Sequence, residues 1–385
     1  MTRYNSTLSA VAMLVVGLAG GAAVAVLPGV LSAFAAAGQA TSSQSSRIGA
    51  FELAGIAFFM FASGFLLNRF DRRRVALFSV LAIVIGQSIS AWPHQMEFLL
   101  VTRLCVGMAE GVLIATVTAA IASSASPERI FALWFSMNLI VSAAFFAALP
   151  LLLSLGEGKG AMWALAGLAV IAALALPWFP HRAPVTSTAP TSGQRTAASH
   201  NQLVPAILAM SASLILFTGI GALWPLMAQI GRANAVDVRT VTAALSAASF
   251  AGVVSGLFTS WLGVRLGRAI PVIVGTLGLS AAMISLLLTG GSIFVFTAVS
   301  FMAWWIFNGT YYLGVLSVLD RSGRLATLTF GNQFLGLTVG QFLSAMLLQG
   351  GSYRDLITVG ASLPLVALLL VTLAMRSRAF HAASL

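Results

Sequence analysis

The sequence predicts an all-α membrane protein whose twelve transmembrane helices form two pseudo-symmetric six-helix bundles. Three observations predict it. First, 59% of the 385 residues are hydrophobic and 8% are charged, with a mean hydropathy of +0.98, whereas soluble domains run at about 45–50% apolar and about 25% charged. So little polar surface cannot cover so large an apolar interior in water, and lipid must be the solvent for most of the chain. Second, the basic residues crowd into alternate breaks between apolar runs. Third, landmarks of the first half recur in the second at a nearly constant offset.

A spanning helix needs roughly 20 mainly apolar residues. Cutting at charged or Gly/Pro/Ser-rich breaks places six spans near 8–37, 48–68, 75–92, 97–122, 130–154 and 161–179. Six more follow near 203–230, 240–262, 270–289, 292–316, 325–349 and 356–375. The N-terminus imitates a secretory leader, with Arg3 ahead of an apolar stretch. That stretch runs from Leu8 to about Ala37, against about 7–15 residues in a leader's apolar region, so a retained first span is expected. Residues 180–200, PHRAPVTSTAPTSGQRTAASH, have no apolar period and are rich in Pro, Ser and Thr. A flexible cytoplasmic linker fits them, dividing the chain into 1–179, 180–200 and 201–385.

The arginines test this count. With both termini inside, fourteen basic residues fall on the inner side and five outside (Arg47, Lys159, Arg232, Arg239 and Arg354), with Arg103 left within a span. Positive charge is retained on the cytoplasmic side of membranes, and one missed span would scramble the asymmetry. The repeat is visible in the same residues. Arg69-Phe70-Asp71-Arg72 returns as Arg265-Leu266-Gly267-Arg268, 196 positions on; Arg129 returns as Arg324 at 195 and Pro28 as Pro225 at 197. Two six-helix repeats are the natural reading.

The formal net charge of +11 does not point to nucleic acid, which needs a basic face on a soluble domain. Arginines scattered between apolar runs fit attraction to anionic lipid. Cys105 is the one cysteine, so no intrachain disulfide can form, and it reads as a small packing residue. His94, His181, His200 and His381 are scattered, so neither a metal nor a cofactor is expected.

The stretch Gly64-Phe-Leu-Leu-Asn-Arg-Phe-Asp-Arg-Arg-Arg74 resembles the loop between the second and third spans of the major facilitator superfamily, G-x-L-A-D-R-x-G-R-[RK]-[RK]. Arg103-Leu-Cys-Val-Gly107-Met-Ala-Glu-Gly111 is similar to that family's R-x-x-x-G-x-x-x-G pattern in the fourth span, and Ser126-Pro127-Glu128-Arg129 follows as in the family. The resemblance implies the family's twelve-helix fold, working as a monomer in a bacterial inner membrane with cytoplasmic termini. It also implies a cytoplasmic latch between the halves, formed here by Gly64, Asn68, Arg69, Asp71, Arg72 and Arg73. Asn68 replaces the family's usual aspartate, and Asp71 stands where glycine is usual, open to pairing with the arginines beside it. The plainer reading of the loop is a topology anchor.

Charge at lipid depth is costly and usually functional. Glu52, Arg103 and Glu110 are the strong candidates. Arg103 and Glu110 are seven residues apart, about two turns, and share a face with Gly107 and Gly111. Arg103 lies roughly 9 Å below the outer end of its span and Glu110 roughly 20 Å, near the bilayer middle. The expectation is that Arg103 pairs with Glu52 and receives an anionic substrate group, while Glu110 binds a proton or a polar substrate group. A buried carboxylate can exchange a proton at physiological pH. The alternative for Glu52 and Arg103 is a structural ion pair. The second half offers no matching charge, only aromatics and amides, of which Asn308 and Gln333 are the polar groups singled out. The proline-bearing first and seventh spans are cavity candidates, since a broken helix exposes backbone groups.

No phosphate-cradling G-x-x-x-x-G-K-[ST] loop occurs, which argues against direct ATP-driven transport. No convergent nucleophile, base or metal ligands suggest an enzyme. The fifth span lacks the glycine-rich motif usual in the family's drug/proton antiporters. The expected function is therefore secondary transport of a small organic solute, carboxylate-bearing given Arg103, by alternating access coupled to protons. A proton-driven exporter of drugs or amphipathic metabolites is the alternative.

Overall fold

The computed structural model describes residues 7–66, 70–92, 95–124, 126–156, 159–181, 200–288, 290–319, 324–350, 352–377 and 380. The chain is all-helical there. In the first half, α1 spans Thr7–Ala36, α2 Ser42–Leu66, α3 Arg72–Ser90, α4 Met96–Ala122, α5 Pro127–Ser154 and α6 Lys159–Ala175. In the second, α7 (His200–Leu223) and α8 (Met227–Ala233) share one apolar segment, followed by α9 (Val238–Leu262), α10 (Ala269–Ile284), α11 (Gly291–Leu319), α12 (Arg324–Leu347) and α13 (Tyr353–Met375). Every sequence-predicted span coincides with one of these helices or with the α7–α8 segment. Among the described residues, eleven helical segments are long and apolar enough to cross a membrane. The remaining one, α12, falls short because Asn332, Gln333 and Gln341 interrupt its apolar character. The linker expected at 180–200 lies almost wholly outside the described residues.

Helix starts follow local chemistry. The Asp71 carboxylate accepts from the backbone N–H groups of Arg73 and Arg74 at 3.0 and 3.1 Å and so caps α3. Asp237 caps α9 through the Thr240 N–H at 2.9 Å, and that bonding holds its carboxyl below the ordinary aspartate range. Pro127 opens α5, where its missing N–H costs nothing.

The contacts repeat between the halves. In the first, α2 and α3 pack on α4, α1 on α5 and α6, and α3 on α6; in the second, α9 and α10 pack on α11, α7 on α12 and α13, and α10 on α13. The principal contacts between these groups are α2 on α12 and α5 on α9. Large apolar side chains such as Phe78, Leu174 and Phe296 point outward, as lipid requires, while the interior is where polar residues gather. Association inside lipid depends on close packing of small residues rather than on hydrophobic expulsion from water.

The two prolines behave differently. α1 continues through Pro28, whereas α7 breaks into a 3₁₀ turn at Trp224–Leu226. Pro225 has no N–H to offer the Gly221 carbonyl. That carbonyl accepts instead from Gln341 Nε2 at 2.6 Å, and Ala222 O accepts from Ser344 Oγ at 2.8 Å. The expectation of two broken spans offering free backbone groups is thus corrected. One span breaks, and α12 side chains take up the carbonyls it releases.

Candidate functional site

The site grows from one close helix contact. A Cβ at Gly107 would strike the backbone carbonyl of Glu52, and one at Gly111 would stand 2.7 Å from the Ile56 carbonyl oxygen. Only glycine lets α4 lie this near α2, and the approach brings the α2 carboxylate against the α4 guanidinium. Arg103 Nε donates to Glu52 Oε2 at 3.2 Å, and Nη2 donates to Glu52 Oε1. From α3, Gln87 accepts the Arg103 Nη1–H through Oε1 at 2.9 Å. Arg103, Gln87 and Glu110 are 0% exposed and Glu52 is 2% exposed.

Glu110 lies within electrostatic reach of both Glu52 and Arg103. Yet neither of its carboxylate oxygens has a hydrogen-bond partner among the described residues, and neither does Gln87 Nε2. The cluster therefore holds two carboxylates, one guanidinium and one amide in a buried interior. An isolated buried ion is very costly there, and the one cation is already spent on Glu52. The arrangement can stably hold one negative charge against Arg103; a second carboxylate calls for a proton.

The structure thus brings Glu52, Arg103 and Glu110 together and joins the first two as an ion pair. Sequence reasoning missed Gln87. A lone amide in the apolar run of α3, near its outer end like Arg103 and Glu52 on their helices, was the available signal. Asn308 is not part of this cluster. It accepts from Thr276 Oγ1 at 3.1 Å and donates to the Trp304 carbonyl at 2.8 Å, knitting α10 to α11. Two aromatics of α11 pack likewise: Tyr311 donates to Gly263 O at 2.8 Å, and Trp304 lies against Gly278. Gln333 is half-buried on α12, apart from the charged cluster. Trp224, at the α7 break, stacks on Phe301 at 5.8 Å and meets Phe146 of α5 edge-on at 6.5 Å. Among the described residues, no three His, Cys, Asp or Glu side chains converge as a metal would need.

Of the loop residues, Asn68 and Arg69 lie outside the described residues, and Gly64 falls in the last turns of α2. Arg72 Nη1 donates to Ser123 Oγ at the end of α4 at 2.9 Å, and Arg73 Nη1 meets His181 Nε2 at 3.0 Å. The Asp71 carboxylate is engaged with the backbone N–H groups of Arg73 and Arg74. Hydrogen bonds between the halves include two from α9 to α5, Ser246 Oγ to Ala143 O at 2.9 Å and Ser249 Oγ to Ser142 Oγ at 3.2 Å, and three others. Ser42 and Tyr353 share one at 2.6 Å, Ser43 donates to Ala345 O at 2.7 Å, and Gln229 donates to Leu31 O at 3.3 Å.

Comparison with known proteins places this geometry. No curated protein matches the sequence. Among solved structures, a D-xylose-proton symporter superposes with a TM-score of 0.75 at 14% identity, covering 94% of this chain and 96% of the other. A point mutant of the nucleoside transporter NupG gives 0.69 at 12% identity over 98% of this chain and 100% of that one. A point mutant of the peptide transporter POT, in complex with sulfate, gives 0.73 at 12% identity over 95% and 93%. Identities this low carry the fold alone. Residues 8–341 match the profile of the Major Facilitator Superfamily, and the chain belongs to that family of transporters.

Proposed function

We propose that this transporter moves a small organic solute by alternating access and couples that movement to protons, with Glu110 as the proton-binding group. The observation that carries the reading is the charge balance of the buried cluster. Each of the three Arg103 nitrogens already donates to Glu52 or Gln87, so an ionised Glu110, 0% exposed and unbonded among the described residues, would be an unpaired charge in the buried interior. Such a charge costs several kcal/mol after relaxation. Glu110 therefore carries a proton while closed off and gives it up when a conformational change admits water or a counter-charge. Glu52 and Arg103 serve as the fixed electrostatic frame.

The functional unit in this reading has twelve spans in two six-helix halves joined by the 180–200 linker, monomeric in the inner membrane with cytoplasmic termini. The matching contacts of the two groups of helices support it, as does the arginine asymmetry. The loop at 64–74 sets the inward–outward balance from the cytoplasmic side. The expectation of a carboxylate-bearing solute rested on Arg103 receiving its anionic group while paired with Glu52. Arg103 is enclosed and each of its nitrogens already donates to Glu52 or Gln87, so the substrate class is left as a small organic solute.

The test is reconstitution in liposomes with a pH-reporting dye inside, presenting organic acids, sugars, nucleosides, short peptides and amphipathic cations in turn. Solute-dependent proton movement by the wild type, lost in Glu110→Gln, is the expected result. Proton movement that survives Glu110→Gln would overturn the assignment.

A further inference from the structure

Gln87 is the one member of the buried cluster without a charge, and its geometry gives it a task. A guanidinium has five N–H donors in a rigid fork. In Arg103 the Nε and Nη2 edge faces Glu52, and Nη1 is held by Gln87 Oε1 at 2.9 Å. No bond reaches Glu110, although it is close enough to feel both charges. Two carboxylates compete for one arginine, and the amide on α3 occupies the corner of the fork through which Arg103 could turn to the second.

The surroundings contain no other arbiter. Against Glu110, α2 contributes Glu52, with Arg47 farther out and paired to Glu97. On α4 itself the charged groups are Glu97, Arg103 and Glu110, with Cys105 exposed toward lipid. The charges of α3, Arg72 to Arg74, are at its opposite, inner end; Glu128 and Arg129 stand in the first turn of α5, and α1 has no titratable residue. Among the described residues, Arg103 is therefore the only cation at this depth, and its orientation decides which carboxylate is ionised.

Resting on the reading of Glu110 as the proton site, we propose that Gln87 is a positioning residue that holds Arg103 on Glu52 and so leaves Glu110 as the group that takes the proton. Without the amide oxygen, Arg103 Nη1 would be an unsatisfied buried donor, which favours re-pairing. The unbonded oxygens of Glu110 are the acceptors available to it. Pairing with a cation favours the ionised carboxylate, so the proton would be held less tightly.

The test needs no substrate. Infrared difference spectra of the purified full-length protein, recorded against pH, follow the C=O band of a protonated carboxyl, assigned to Glu110 by its disappearance in Glu110→Gln. In Gln87→Met, similar in shape but lacking the amide, the band's titration midpoint is expected to move to lower pH by about one unit, the equivalent of about 1.4 kcal/mol. Gln87→Glu, which restores an acceptor for Nη1, is expected to keep its midpoint at or above the wild-type value and serves equally if Gln87→Met does not fold. A Met midpoint equal to the wild type's, or a Glu midpoint below it, overturns the positioning role and leaves Glu110 as the proton site. A band that persists in Glu110→Gln overturns both readings together.

Discussion

Gly107→Ala sets two effects of opposite sign against each other. Alanine is the better helix former by roughly 0.5–1 kcal/mol, so helix propensity alone predicts a more stable protein. The structure predicts the reverse. Ordinary contact with a Cβ begins near 3.4 Å, and at Gly111 the nearest atom of α2 stands at 2.7 Å, a shortfall of 3.4 − 2.7 = 0.7 Å. At Gly107 the overlap with the Glu52 carbonyl is deeper. Both obstacles are backbone, so α2 must move bodily. Overpacking of this kind costs about 1–3 kcal/mol. The displaced residue is Glu52 itself, so the strain also loosens a buried ion pair whose rupture costs about 3–5 kcal/mol. Gly107→Ala should therefore lose about 2 kcal/mol or more and reduce transport in the same preparation. Thermal unfolding in detergent reads the first effect, with Gly167→Ala as control, since a Cβ at Gly167 on α6 meets nothing within 4 Å. If the two variants prove equally stable, the close α2–α4 approach is not what holds the site together.

The remaining predictions concern the ion pair and the outer ends. Arg103→Met leaves the ionised Glu52 buried without a counter-ion and should cost about 3–5 kcal/mol, most of it recovered in Glu52→Gln/Arg103→Met, where no charge is stranded; denaturant titration of both variants decides, and a double variant no better than the single would refute the pairing argument. Full uptake by a Glu52→Arg/Arg103→Glu exchange would make the pair purely structural. Tyr353→Phe removes the hydroxyl shared with Ser42 at 2.6 Å and offered to Gln229 at 3.5 Å. At about 1 kcal/mol net, the outer ends should part roughly five-fold more often. The thiol of Leu31→Cys, at a position buried beside Gln229, should then react correspondingly faster with an impermeant thiol reagent in a Cys105→Ser background, and an unchanged rate would sink the clasp.

Much of the site was legible before any coordinates. Glu52, Arg103 and Glu110 declared themselves because ionised groups are rare at lipid depth, and the seven-residue spacing put two of them on one face. Gly107 and Gly111 announced a close helix partner without saying which helix it was. Gln87 stayed hidden because a single amide in an apolar run carries little signal until its neighbour is known. Asn308 and the aromatics of α11, Trp304, Tyr311 and Tyr312, carried a signal of another kind. Their periodicity was real, but it served packing of α11 on α10 and on the Gly263 turn, since helical spacing identifies a face and not what the face meets.

The sequence by itself determined the solvent and the spans, and it carries the expectation of their orientation. These follow from apolar run lengths and from the placement of arginines, which are local properties summed along the chain. It also determined the repeat, because two halves under the same packing demands keep their landmarks at the same offset. Only the tertiary structure decided that Gln87 joins Glu52 on the Arg103 fork, and that Gln341 and Ser344 seal the break at Pro225. Each of those depends on distances between residues 16 to 122 positions apart, which no local pattern encodes and which the helix packing sets.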